Sequence, residues 1–206
     1  MEDILEVYQR PYDPDFPVVC MDESTKQLIG EVAEPIAMTE NHCELIDHEY
    51  VRNGVATIFA EVEPLGGRRH VEITGSRSAK DWARFVQQML DERYPDAKKV
   101  ILVLDNLNTH KIASLYEAFP PEEAKRLSDR LELHFTPVHG SWLNICEIEL
   151  SALSRQCLNR RIESMETITS EVKKWQEHRN NSKATIDWQF TNEDARVKLK
   201  RLYPKL

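Results

Sequence analysis

Residues 99–106, KVILVLDN, decide the fold of this chain. Five consecutive apolar residues, 100–104, lie between two lysines and an Asp-Asn pair. A short run rich in Val, Leu and Ile with polar ends is typical of a strand buried on both faces. Such strands lie in the middle of open α/β sheets, where ligands bind beyond the carboxyl ends of the strands. Asp105 follows this strand directly, so we expect its carboxylate to be functional.

A second apolar run, VVCM at residues 18–21, stops at Asp22 in the same way and predicts another core strand. Residues 55–64 and 68–75 predict a hairpin around a Gly-Gly turn, and a helix from Ser78 to about Arg93 then crosses to the 99–106 strand. A right-handed crossover makes that strand parallel to the first and adjacent to it. Asp22 and Asp105 are then expected at the same edge of the sheet, where their repulsion favours a bound cation.

The remaining elements are predicted from periodicity and turn residues. Residues 23–53 look polar and irregular. Helices are expected at about 109–119, 122–130 and 164–179, a last strand at 131–137, and a long, largely buried helix that Ser141 caps. Glu147 lies in the narrow polar sector of that long helix, and Glu149 points roughly 160° away from it.

Composition limits the classes of function. The chain has 206 residues, 41% hydrophobic, with only six glycines and no Gly-rich phosphate loop, so the P-loop class is excluded at the motif level. No apolar run is long enough for a membrane span, no signal peptide is evident, and we expect a soluble, cytoplasmic protein without membrane partners. The four cysteines predict buried, reduced thiols, and His42, Cys43 and His48 lack the paired spacing of a zinc site. The net charge of −8 argues against nucleic acid, but basic clusters at 68–80 and 155–161 leave local patches possible.

Three blocks of the sequence resemble the acidic blocks of DDE-type transposases. These are VVCMDES at 18–24, VLDNLNTH at 103–110 and FTPVHGSWLNICEIELSAL at 135–153. They are similar to the bacterial insertion-sequence branch of the mariner superfamily, the insertion sequence 630 family. The resemblance covers nearly the whole chain, and the pattern W-L-N-x-x-E after T-P-x-H is its most specific part. It implies an RNase H-like α/β fold with a five-stranded mixed sheet flanked by helices.

The resemblance also implies the chemistry. Asp22, Asp105 and Glu147 would be the catalytic residues and would hold two Mg²⁺ or Mn²⁺ ions for DNA cleavage and strand transfer at element ends. The expected partners are the element's terminal repeats, target DNA and a second copy of the chain. For His110 we keep two readings, contact with a phosphate of the scissile strand or packing at a helix start. Candidate substrate-binding residues are Asn106, His110, His139, Trp142 and Asn144.

The chain departs from that family at its start. Nothing before Pro11 predicts the helix-turn-helix that family members use to read terminal repeats, so we expect a catalytic part from a split frame, a truncated copy or an excised piece. The expected organisation is a lead and linker at 1–17, the catalytic domain at 18–179 and a packed tail at 180–206. Two alternatives remain open. One is another RNase H-like metal nuclease, such as a resolvase or RNA-cleaving enzyme, and the other is a decayed or regulatory copy that binds intact transposase.

Overall fold

The computed structural model describes residues 1–43, 45 and 47–203. Its strands are β1 (Val18–Glu31), β2 (Tyr50–Glu63), β3 (Arg68–Thr74), β4 (Val100–Leu104) and β5 (Leu131–Phe135). Its helices are α1 (Glu2–Tyr8), α2 (Ala79–Gln88), α3 (Ile112–Ala118), α4 (Pro121–Asp129), α5 (Ile145–Leu153), α6 (Met165–Asn181) and α7 (Asn192–Lys198). Two π-helical turns, Met89–Arg93 and Ser154–Leu158, extend α2 and α5.

The five strands form one mixed sheet in the order β3-β2-β1-β4-β5. β1 pairs antiparallel with β2 and parallel with β4, and β5 is parallel to β4. α2 makes the crossover, and its start is fixed by a capping box between Ser78 and Asp81. Every residue of β4 is buried. The predicted fold class and the central place of residues 99–106 are therefore confirmed.

Side chains of β1 and β4 alternate between two cores, one on each face of the sheet. Val19 and Leu102 belong to the core that packs against α2 and α4, whereas Cys20 and Val103 belong to the core under α1 and α5. A third cluster lies where β1 and β2 meet α6. Helices on both faces explain why β4 has no polar residue until Asp105.

β1 is much longer than the sequence predicts. It continues to Glu31, and its pairing with β2 extends from Cys20↔Val62 to Glu31↔Tyr50. The prediction of an irregular stretch over residues 23–53 is wrong at both ends, because a half-exposed antiparallel hairpin accepts polar side chains on its open face. Asp22 consequently lies inside β1, although the parallel pairing with β4 ends at Cys20.

The two ends of the chain pack against the same core. Ile4, Leu5 and Val7 of α1 are fully buried, and the Tyr8 hydroxyl donates a hydrogen bond to the Leu143 carbonyl at 2.6 Å. Residues 2–8 therefore form a helix that is part of the packed structure. In the tail, Ile186, Trp188 and Phe190 pack beside α1. The last three residues of the predicted tail, 204–206, lie outside the described residues.

All four cysteines are free thiols. Cys20 and Cys146 are buried, as expected, whereas Cys157 is half-buried and Cys43 is exposed because residues 32–43 lie outside the sheet. No helix within the described part of the chain is long and apolar enough to cross a membrane.

Candidate active site

The parallel pairing of β1 with β4 brings two carboxylates to one edge of the sheet. The register pairs Cys20 with Val103, so Asp22 and Asp105 each follow two residues beyond that pair. Both aspartates are half-buried. The edge on which they lie is the carboxyl edge of the parallel strands, where α/β sheets bind their ligands.

Asn144 brings the start of α5 to the same edge. Its side chain is 1% exposed, and its Nδ2 donates a hydrogen bond to the Met21 carbonyl, one residue before Asp22, at 2.8 Å. Its Oδ1 accepts from the Cys146 N–H at 3.1 Å and caps α5. Glu147 lies half-buried in the first turn of that helix. Its N–H donates a hydrogen bond to the Asn144 carbonyl. One side chain thus fixes the position of Glu147 relative to Asp22.

The Asp105 and Glu147 carboxylates both act on Asp22. Burial, which is the largest cause, and the repulsion from these two carboxylates together raise the pKa of Asp22 to about 6. The hydrogen bond from the Glu23 N–H at 2.7 Å and the nearby His110 oppose that rise. The edge is therefore a site of excess negative charge.

The donor set at this edge suits a hard divalent cation. It consists of carboxylate oxygens alone, which Mg²⁺ and Mn²⁺ prefer over sulfur. Over residues 1–43, 45 and 47–203, however, no three His, Cys, Asp or Glu side chains converge closely enough to ligate one ion. The chemistry of the three carboxylates fits a divalent cation. Their side chains must move closer together to ligate the same ion.

His110 joins Asp105 to a fourth acid, Glu23. The ring is fully buried, with Nδ1 2.6 Å from Asp105 Oδ1 and Nε2 2.9 Å from Glu23 Oε1. Burial lowers the pKa of His110, but the hydrogen bonds to Asp105 and Glu23 outweigh it and raise that pKa to about 9. Since both ring nitrogens meet carboxylate oxygens, the ring is an imidazolium that donates twice.

Of the two interpretations of His110, this arrangement favours packing over contact with a phosphate, because the ring is fully buried. Glu23 does lie on the face of β1 opposite Asp22, as its alternation predicts. Sequence reasoning missed its pairing with His110, since the two residues are 87 positions apart.

Glu149 has a different environment from Glu147. It is 4% exposed, and its carboxylate meets Arg69 Nε at 3.2 Å and Arg179 Nη2 at 2.6 Å. The predicted divergence of the two glutamates around the helix agrees with these positions. Glu149 is an acid of the core that two arginines neutralise.

The other predicted substrate contacts divide by exposure. Asn106 and His139 are exposed, and Trp142 is 42% exposed with its ring centroid 6.0 Å from that of Phe190. Asn144 is buried, and both ends of its amide are occupied. The long helix predicted from Ser141 is in fact a 3-10 turn, Ser141–Leu143, followed by α5, because Asn144 has extended backbone angles. Ile148 is 46% exposed, so the helix is less buried than its composition indicates.

Comparison with known proteins identifies the family. The model of the DDE superfamily endonuclease family matches residues 17–169. The comparison with curated proteins returned no match.

Solved structures of the Mos1 mariner system share the fold. The paired end complex with Mn superposes with a TM-score of 0.58 at 14% identity, covering 88% of this chain and 54% of that chain. The Mos1 transposase paired-end complex with left transposon end gives 0.54 at 14% identity, covering 91% and 62%. This chain thus spans between half and two thirds of those chains. Its sheet matches their RNase H-like catalytic domain. Because the family match extends from the start of β1 into α6, the chain belongs to the DDE superfamily endonucleases.

Proposed function

We propose that this protein is the catalytic part of a DNA transposase that cleaves phosphodiester bonds at transposon ends and joins the freed ends to target DNA. The observation that carries the proposal is the hydrogen bond from Asn144 to the Met21 carbonyl. It holds the helix of Glu147 at the edge where the parallel strands deliver Asp22 and Asp105. The family match and the fold of the Mos1 complexes support the same reading.

Asp22, Asp105 and Glu147 would hold two Mg²⁺ or Mn²⁺ ions. Such ions supply a deprotonated nucleophile at neutral pH and neutralise charge on the phosphate and the leaving oxygen. The protein's part is to hold three acids at one place. His110 does this for Asp105 by donating a hydrogen bond to Oδ1 at 2.6 Å, which leaves the second carboxylate oxygen without that bond.

DNA is the proposed substrate, with the exposed residues Asn106, His139 and Trp142 as its candidate contacts. The Mos1 structures are paired-end complexes. By analogy we propose a homodimer as the active form. Selection of terminal repeats would come from a helix-turn-helix domain or frame, because base contacts in the major groove supply specificity.

The test uses a labelled duplex with a free 3′-hydroxyl and a supercoiled plasmid, with Mg²⁺ or Mn²⁺. The wild-type chain should nick the plasmid and join the duplex to it. Asp105→Asn retains the oxygen that accepts from His110 but loses the negative charge, so it should do neither. Metal should raise the melting temperature of the wild type, since a ligand bound only to the native state stabilises it, and should leave that of Asp105→Asn unchanged.

Each other outcome contradicts the proposal in a specific way. Nicking without joining would indicate a hydrolytic nuclease. A metal response without either reaction would indicate a non-catalytic copy that binds other transposase chains. An undiminished metal response in Asp105→Asn would place the metal site elsewhere.

A further inference from the structure

A basic cleft lies at the far end of α5, between the π-helical turn Ser154–Leu158 and α6. Its volume is about 740 Å³. Four cationic side chains line it against one acid, Glu171; they are Arg155, Arg160, Lys174 and Arg179. The sequence around it, residues 154–183, holds seven Lys and Arg and four Glu in a chain whose net charge is −8. Positive charge is therefore concentrated here.

The cleft is not neutralised by its own acid. Arg160 meets Glu171 at 2.6 Å and Lys174 lies 3.6 Å from it, so two cations share one carboxylate. Both cations are open to solvent, with side chains 54% and 71% exposed. Arg155 is exposed and has no ion pair within the described part of the chain. A surplus of at least one full charge thus faces the solvent beside Glu171.

The floor of the cleft consists of packed side chains without unpaired charge. Trp175 is 8% exposed, and its Nε1 donates to Gln156 Oε1 at 2.8 Å. The Arg179 guanidinium lies 5.9 Å from the Trp175 ring and is held from below by Glu149. α6 itself is fixed on the core through Ile168 and Val172. The exposed cations Arg155, Arg160 and Lys174 therefore project from a packed support.

The cleft continues the exposed face of α5 that starts at Glu147. Ser151 and Arg155 follow Glu147 at intervals of four residues, and both are exposed. The wider π-helical turn adds a residue per turn, which keeps Arg155 close to the line of Glu147 and Ser151. Eight residues of helix rise about 12 Å. A DNA strand advances about 3.4 Å per base pair, so this is a span of about four nucleotides.

We propose that this cleft binds the sugar-phosphate backbone of DNA whose scissile phosphate lies at the Asp22, Asp105 and Glu147 edge. The inference rests on the proposed function, because it takes the same DNA as ligand. Arg155, Arg160 and Lys174 would contact phosphates a few nucleotides from the reacting bond. Such contacts position DNA without reading its sequence. They explain how an acidic protein holds a polyanion near three carboxylates.

The test is a salt titration of binding to random-sequence duplex DNA, measured by fluorescence anisotropy in the presence of a chelator. The double variant Arg155→Gln with Lys174→Gln removes two cleft cations. The slope of log K against log salt is negative, and each lost phosphate contact reduces its magnitude by about one. We therefore expect the magnitude of the slope to fall by about two. The matched control is Lys98→Gln with Lys99→Gln, which removes two exposed lysines at the opposite, amino end of β4. The control should keep the wild-type slope and all proteins should keep the wild-type melting temperature.

Equal slopes in the two double variants would overturn the inference. So would inhibition by polyglutamate at the same charge concentration as DNA, which would assign the cleft to an acidic protein partner. Failure of the proposed function has a separate signature, because binding in chelator needs no metal. If the salt dependence of DNA binding weakens in the cleft variant while Asp105→Asn still cleaves, the cleft holds DNA and the catalytic assignment is wrong. If Asp105→Asn is inactive while the slopes agree, only the cleft is misassigned.

Discussion

Glu147 and Glu149 lie two residues apart on α5 and have opposite surroundings. Glu149 is 4% exposed between Arg69 and Arg179. Glu147 is half-buried, has no ion pair within the described residues and faces Asp22 across the edge of the sheet. An acid that the fold neutralises serves the fold, whereas an acid left among other acids weakens the apo protein and suits a cation. The same helix therefore carries one structural and one proposed catalytic carboxylate.

The neutralised acid also ties together distant parts of the chain. Arg69, which is 4% exposed, donates to the Ala184 carbonyl at 2.6 Å and to the Gly67 carbonyl at 3.1 Å in addition to its contact with Glu149. β3, α5 and the segment after α6 meet at this one guanidinium. At the edge of Asp22 and Asp105, by contrast, the buried imidazolium of His110 is shared between Asp105 and Glu23.

The largest expected effect is on catalysis. Glu147→Gln keeps the side-chain volume and removes the charge, so metal-dependent nicking should fall by about 10²–10³-fold or more. Its stability without metal should equal or exceed that of the wild type, because one of three mutually repelling acids is gone. Initial nicking rates and urea unfolding measure the two effects. If Glu147→Gln nicked at the wild-type rate, Glu147 would not belong to the catalytic site.

The matched substitution at Glu149 should act on stability instead. Glu149→Gln leaves the buried Arg69 and the half-buried Arg179 without their counter-charge, which should cost about 3–5 kcal/mol of unfolding free energy. Nicking by the folded fraction should fall far less than in Glu147→Gln. Urea unfolding of the two variants side by side makes the comparison. If Glu149→Gln were as stable as the wild type, the distinction between the two glutamates would fail.

Much of this contrast is present in the sequence. The apolar run before Asp105 predicts β4, Ser78 and the spacing after it predict the crossover helix, and together they place Asp22 beside Asp105. Helical geometry alone separates Glu147 from Glu149. These features succeed because each depends on local pattern or on a general rule of connection.

The partners of the buried charges were not predictable. Arg69 is 80 residues from Glu149, and Glu23 is 87 residues from His110. Only the packed fold decides which buried acid meets which cation, because many Lys and Arg residues are available to each. The extension of β1 was missed for a related reason, since its polar residues are stabilised by pairing with β2 and not by their own pattern.

A smaller effect concerns pH and Asp22. Its pKa is raised from an ordinary value near 4 to about 6 in the native state, so between these values the native protein binds more protons than the unfolded chain. Stability without metal should therefore fall as pH rises from about 4 to about 6, by about 1–3 kcal/mol from this residue. Asp22→Asn should remove that part of the slope. Unfolding free energies of both proteins at pH 4.5 and 7.5 in chelator measure it, and other acids, such as Glu61, cancel in the difference. Equal slopes in the two proteins would show that the native fold does not raise the pKa of Asp22.

The smallest expected effect on stability is at Asn144, the residue that places Glu147 at the edge. Asn144→Ser retains an oxygen that can cap α5 but is too short to reach the Met21 carbonyl, so we expect a loss of about 1 kcal/mol. Asn144→Ala loses both bonds and should lose about 2 kcal/mol. Nicking should fall by about 10–100-fold in both, because a small displacement of a catalytic group has a large effect on rate. The comparison with Glu149→Gln is informative here, since that variant should be less stable yet more active. If Asn144→Ser nicked at the wild-type rate, the position of Glu147 would not depend on this hydrogen bond.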